Sequence, residues 1–272
     1  MNKILEQYYR KPQVYIALPS QGQFYNSGCK LSVDNQLAVR AMTAADEILL
    51  KNPEALLNGE AVINLIKSCC PDITNAEEVS IVDLDAILIA IRHATYGENL
   101  QFNSSCNHCK SSNELEIHYG KFLETIIPID KDPYVEINSD IKCLLQPTKY
   151  ISSQKISIAE FEYNSLVKAY SNNPTEDQKK EISISRSKRD NFRINIISES
   201  IRFIKTPQES ITDRNEISEF VFNLDSVNYL KIFNCLEKLN ANTIKKEFDI
   251  ECASCKKLYT QIVNFDNSSF FD

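Results

Sequence analysis

The sequence predicts an α+β fold: a mostly helical body carrying a split β element built from two segments far apart in the chain. Three observations predict it. Helical periodicity with capping residues runs through residues 43–98 and returns from about 152 to 239. Between and after these stretches the period changes to alternation, in "LQFNSSCNHCKSSNELEIHY" and "KEFDIECASCKKLYTQIVNF". Each alternating segment folds about a Cys-x-x-Cys turn, Cys106 with Cys109 and Cys252 with Cys255.

Taken in order, residues 1–42 read as an extended arm ending in one strand, "LAVRAM". The arm's clearest feature is "LPSQGQFY", where Pro19 and Gly22 bracket a turn and Phe24 and Tyr25 are candidate anchors, on this chain or on a partner. Residues 43–98 form a helical domain. Thr43 with Asp46 approximates a capping box, Pro53 suits a first helical turn, and Asn58-Gly59 divides the helix that follows. The strongest helix, "SIVDLDAILIAIRHATYG", has Ser80 as N-cap, Leu84, Ile87, Leu88 and Ile91 on one face, and Gly97 at its C-cap. Asp83 and Asp85 fall in its first turn, where they complement the helix dipole. Residues 99–150 hold the first knuckle and a hairpin turning at Asn138 to Asp140. Residues 151–240 read as a helical insertion with loops at "SNNPTEDQ" and "KTPQES". Residues 241–272 hold the second knuckle and an aromatic tail ending "NSSFFD".

Composition bounds the function. A chain of 272 residues that is 43% hydrophobic and 25% charged belongs to a folded protein, not a disordered or fibrous one. No run reaches the roughly 18 apolar residues of a membrane span, and "MNKILEQYYRKPQ" has no apolar stretch of signal-peptide length, so a cytosolic protein is expected. The formal net charge of −7 argues against nucleic acid as the main partner. The basic run with Arg186, Lys188, Arg189 and Arg193 reads as a solvated helix face.

Nine cysteines, an odd count in a chain expected to stay in a reducing compartment, do not suggest a disulfide scaffold. Cys29, Cys69, Cys70, Cys143 and Cys235 sit among apolar neighbours and read as small core residues. The other four match the two halves of a zinc ribbon, in which two hairpin knuckles each offer a pair of thiolates to one tetrahedral Zn2+. Cys109 and Cys252 stand 143 positions apart, where common ribbons have roughly 15–20. A shared structural zinc would therefore clasp the end of this sequence to its middle, at a closure cost that grows only logarithmically with loop length. Two unrelated hairpins without metal, or a redox pair, are the alternatives; flanking strands, not a helix amino terminus, argue against the second. His108 reads as an exposed side chain and not a ligand. Four thiolates fill the shell, so no metal chemistry is expected.

No other constellation suggests an enzyme. His93, His108 and His118 lack a nucleophile and an acid at recognisable spacing, His93 reads as a satisfied part-core residue, and five glycines form no phosphate loop.

Together, "LPSQGQFY", the Thr43-x-x-Asp46-Glu47 helix start, the Arg92-x-x-x-Tyr96-Gly97 helix end and the Cys106/Cys109 knuckle resemble, in order and spacing, the hub subunit or hub-assembly protein family of T-even-like contractile-tailed phages. The resemblance covers roughly residues 14–120, the closing knuckle and the Phe-rich tail; the stretch from about Ser152 to Leu239 does not match. It implies a non-enzymatic structural or assembly role at the baseplate hub. The partners would be other hub and tail-tube proteins, met in the host cytoplasm during assembly and in the tail baseplate if the protein is retained. Phe24, Tyr25, Phe270 and Phe271 are then candidate partner anchors. Two other readings compete with it: a zinc-ribbon nucleic-acid or transcription accessory protein, and a hydrolase or redox protein dependent on Cys106 or Cys252.

Overall fold

The computed structural model of the chain describes residues 10–241 and 243–263. Its first segment is a strand pair: Val14–Ala17 (β1) lies antiparallel to Gln36–Val39 (β2), with Val14 opposite Val39. The sequence led to one strand here and the structure has two, because four residues of alternation in β1 become a signal only once β2 is beside them. Helix α1 (Ala44–Leu50) opens with a complete capping box between Thr43 and Asp46. Helices α2 (Pro53–Leu57) and α3 (Glu60–Cys69) are separated at Asn58-Gly59, as the sequence predicts. Gly59 has φ +79°, and a Cβ there would stand 2.9 Å from the Gln154 side chain, so both conformation and contact require glycine.

Helix α4 (Ile81–Tyr96) is the centre of the first core. The sequence pattern selected one apolar face, yet Val82, Ala86, Ile89 and Ala90 are buried as completely as Ile87 and Leu88. A helix buried on most of its sides belongs inside, and β1, β2 and the short α5 (Tyr119–Leu123) pack against it. The chain leaves α4 through Gly97 at φ +94° into the first knuckle hairpin, β3 (Asn99–Ser105) paired with β4 (Ser112–His118).

The second core is built on a four-stranded antiparallel sheet. Strands β5 (Tyr134–Glu136) and β6 (Lys142–Leu145) make the hairpin that the sequence indicated. Strands β7 (Ile201–Lys205) and β8 (Ser210–Ile211) extend it, giving the order β5-β6-β7-β8. The region read as wholly helical therefore contains two strands. Ile201 comes four positions after Ile197, the last of the apolar positions Ile194, Ile196 and Ile197 of a helix, and its strand partner is 56 positions earlier in β6, so nothing local marks the switch. Between these strands run α6 (Tyr150–Ala169) and α7 (Glu176–Glu199), about 30 and 36 Å long at 1.5 Å per residue. Past Ala159 this helical hairpin buries only Ser185 until it returns at Ile197, so most of it is an arm. Ion pairs Lys188–Glu162 and Arg193–Glu160, and the Arg189 guanidinium 4.3 Å from the Tyr163 ring centre, join its two helices. That is where the basic run is spent. Helices α8 (Arg214–Phe222) and α9 (Ser226–Leu239) cover the sheet through Ile217, Val221, Ile232 and Leu236. The second knuckle hairpin follows, β9 (Glu247–Glu251) with β10 (Leu258–Ile262).

Candidate metal centre

The two knuckles are built alike. In the first, the Cys106 N–H donates to the Ser111 carbonyl at 3.0 Å and the Lys110 N–H to the Cys106 carbonyl at 2.9 Å. In the second, the Cys252 N–H donates to the Lys257 carbonyl at 3.0 Å and the Lys256 N–H to the Cys252 carbonyl at 2.9 Å. Both turns close through a left-handed lysine, Lys110 at φ +62° and Lys256 at φ +60°. That conformation strains a residue with a Cβ, and it reverses the chain immediately after the second cysteine of each pair.

The hairpins bring the four cysteines together. Ligand sulfurs of Cys106, Cys109, Cys252 and Cys255 all lie within 4.8 Å of one another. Cys109 Sγ is 3.6 Å from Cys252 Sγ, and Cys106 Sγ is 3.8 Å from Cys255 Sγ. A tetrahedron with Zn–S bonds of about 2.3 Å has an S···S edge of about 3.8 Å. Donor set and spacing both fit a four-thiolate metal site. Cys106 and Cys252 are fully buried, Cys255 is half-buried and Cys109 is exposed.

Polar side chains join the knuckles, Asn113, Ser111 and His108 among them, and the sequence reading passed over the first two. Asn113, 5% exposed, accepts from the Ala253 N–H at 2.9 Å, and its amide lies 3.7 Å from Cys252 Sγ. Its position on β4 opposite the buried Ser104 was the available signal, since strand alternation turns both inward. The Ser111 hydroxyl touches Cys109 Sγ at 3.0 Å and Cys252 Sγ at 3.3 Å. His108, expected as an exposed side chain, does not join the cluster; its Nε2 meets the Leu258 carbonyl at 3.2 Å and so reaches the other hairpin.

These contacts set the thiol acidities. The Ser111 hydroxyl, helped by the Cys255 and Ser254 amides, draws Cys252 down to about 5, and Ser111 lowers Cys109 as well. The Lys257 amide draws Cys255 down, but burial and the neighbouring sulfurs prevail and push it up to about 11. The cluster thus favours thiolate at Cys252 and Cys109, the form that ligates a metal.

The "LPSQGQFY" loop sits elsewhere, between the two cores. Asp83, 0% exposed, accepts from the Ser20 N–H at 2.9 Å, the Ser20 hydroxyl at 2.5 Å, the Tyr25 hydroxyl at 2.9 Å and the Ser80 hydroxyl at 3.4 Å. Burial pushes Asp83 above the usual carboxylate range while these donors pull it down. Tyr25 is therefore a core residue held by its own chain, 8% exposed. Phe24 is half-buried, with the Arg202 guanidinium of β7 5.6 Å from its ring centre. Phe270 and Phe271 lie outside the described residues. His93 stacks on Tyr119, and its Nδ1 has no hydrogen-bond partner, where a satisfied imidazole was expected. Among the described residues, no helix is long and apolar enough to cross a membrane.

In a mixed helix-and-sheet protein, two hairpins from distant parts of the sequence thus place four cysteines where one metal ion fits. Residues 12–272 match the model of the family described as T4 bacteriophage base plate protein, and the chain belongs to that family. No curated protein and no solved structure matches the chain.

Proposed function

We propose that this chain is a structural or assembly subunit of the hub region of a contractile-tail baseplate. One structural zinc, held by Cys106, Cys109, Cys252 and Cys255, stiffens it, and it acts by contact with other hub and tail-tube proteins. The observation that carries the reading is the convergence of four sulfurs from knuckles 143 positions apart, in a member of a baseplate family. Bound there, zinc would supply cross-linking and no chemistry, because four thiolates leave no open position. The residues around it do the holding: Asn113 fixes the second turn against the first, and Ser111 stabilises two of the thiolates. Clasped this way, the hairpins close off the first core, where Val263 and Ile244 pack with residues of α4 and α5. The second core and its arm then project from a fixed root. Phe24, Phe270 and Phe271 are the anchors we assign to partners. The protein works in the host cytoplasm during assembly and in the tail baseplate where it is retained.

The test is association. Antibody against the chain is used on purified tails and on extracts of infected cells, with hub and tube proteins identified in the captured complexes. A resident subunit is found in both, and a departing assembly factor only in the extracts. Absence from tails, together with no captured hub or tube protein during infection, contradicts the hub assignment.

A further inference from the structure

We propose that the four thiols of the clasp are also an oxidation site, and that oxidation joins them across the knuckles, Cys109 to Cys252 and Cys106 to Cys255. The inference rests on the four-thiolate reading of the centre, but the pairing follows from the chain's own geometry. The two sulfur contacts, at 3.6 and 3.8 Å, each run from one knuckle to the other. A disulfide bond is about 2.05 Å long, so each pair needs an approach of about 1.6–1.8 Å, within reach of small side-chain rotations. The backbones are already held together for it: Asn113 binds the Ala253 amide, His108 meets the Leu258 carbonyl, and Ser104 bonds to Gln261. Each pair also combines an accessible sulfur, Cys109 or Cys255, with a fully buried one, Cys252 or Cys106. The accessible member meets the oxidant and the buried member resolves it.

With a peroxide as oxidant, the Cys109 thiolate attacks one peroxide oxygen. The O–O bond breaks, hydroxide leaves, and sulfur is oxidised to a sulfenic acid. The Cys252 thiolate then attacks the Cys109 sulfur, the S–S bond forms and a second hydroxide departs. Two electrons from the pair have reduced one peroxide. A second equivalent does the same at Cys255 and Cys106. Sulfurs tied up in disulfides no longer offer thiolates, so a bound metal ion is released.

The consequence lies in which bonds form. Disulfides within each Cys-x-x-Cys turn would free the two hairpins from each other. Disulfides across the knuckles keep the same ends joined, over spans of 143 and 149 positions. The clasp would thus be held by metal in a reducing cytosol and by covalent bonds in an oxidising exterior.

The experiment uses the purified full chain carrying zinc. Hydrogen peroxide is titrated in while a chromogenic chelator reports released zinc; the sample is then alkylated, digested without reduction and mapped by mass spectrometry. The expected result is about two equivalents of peroxide per zinc released, with peptides linked Cys109–Cys252 and Cys106–Cys255. In Cys109→Ser, only the Cys106–Cys255 link is expected. Disulfides within the turns, or over-oxidised cysteines without cross-links, overturn the proposal. A chain that purifies without zinc removes the metal reading alone, because the same disulfide map made on that chain still decides the pairing.

Discussion

Asp83 offers the sharpest test of how the amino-terminal segment is held. Replacing it with alanine removes the acceptor for the Ser20 N–H and for the hydroxyls of Ser20, Tyr25 and Ser80. A buried donor left without a partner costs about 1–3 kcal/mol. The hydroxyls can turn to other acceptors, but the Ser20 amide and the buried Tyr25 phenol have less freedom. We therefore expect Asp83→Ala to lose about 3–5 kcal/mol, and Asp83→Asn, which keeps shape and one acceptor oxygen, about 1–3 kcal/mol. The chain has no tryptophan, so the assay is urea unfolding followed by helical circular dichroism. The pH dependence has a definite sign. Burial raises the folded-state pKa of Asp83, so its contribution is fully present below the unfolded pKa and is lost as pH rises through the folded one. The stability advantage of wild type over Asp83→Asn should accordingly widen as the pH is lowered. A loss below about 1 kcal/mol for Asp83→Ala, or an advantage that narrows in acid, would refute the reasoning.

Other outcomes follow from the same geometry. Cys106→Ser and Cys255→Ser should lower the thermal midpoint together, because both break one tetrahedron; a large drop in one and none in the other counts against a shared site. Lys110→Gly and Lys256→Gly should each stabilise by about 0.5–1 kcal/mol, since glycine relieves the left-handed strain at some cost in chain entropy; the melts should rise by a few degrees or less. Asn113→Ala should weaken zinc binding about 10–100-fold in a competition titration, as expected when an outer partner of the ligands is lost. Lys188→Ala and Arg193→Ala should each change stability by less than about 1 kcal/mol, because their ion pairs with Glu162 and Glu160 are half exposed.

The parts of this structure legible in the sequence are those whose signals are local. Thr43 and Asp46 cap a helix three residues apart, Asn58-Gly59 breaks one, and each Cys-x-x-Cys turn sits between its own two strands. The meeting of the four cysteines was legible because each Cys-x-x-Cys pair supplies only two of the four thiolates that a closed site needs. What escaped depends on neighbours distant in the chain. Strand β7 continues an isoleucine run begun in α7 and becomes a strand by pairing with β6. Asp83 looked like a helix-start acid, and its burial under Ser20 and Tyr25 needs the loop folded over it. Asn113 is unremarkable as a polar residue in a polar stretch; its role exists only when Ala253 arrives from the other knuckle.

The measurement that tests the central claim most directly is the zinc content of the purified chain by elemental analysis, with and without Cys252→Ser. About one zinc per chain, lost in the variant, is the predicted result. No metal in the wild-type chain, with Cys106, Cys109, Cys252 and Cys255 all free to react with a thiol reagent, would contradict the clasp.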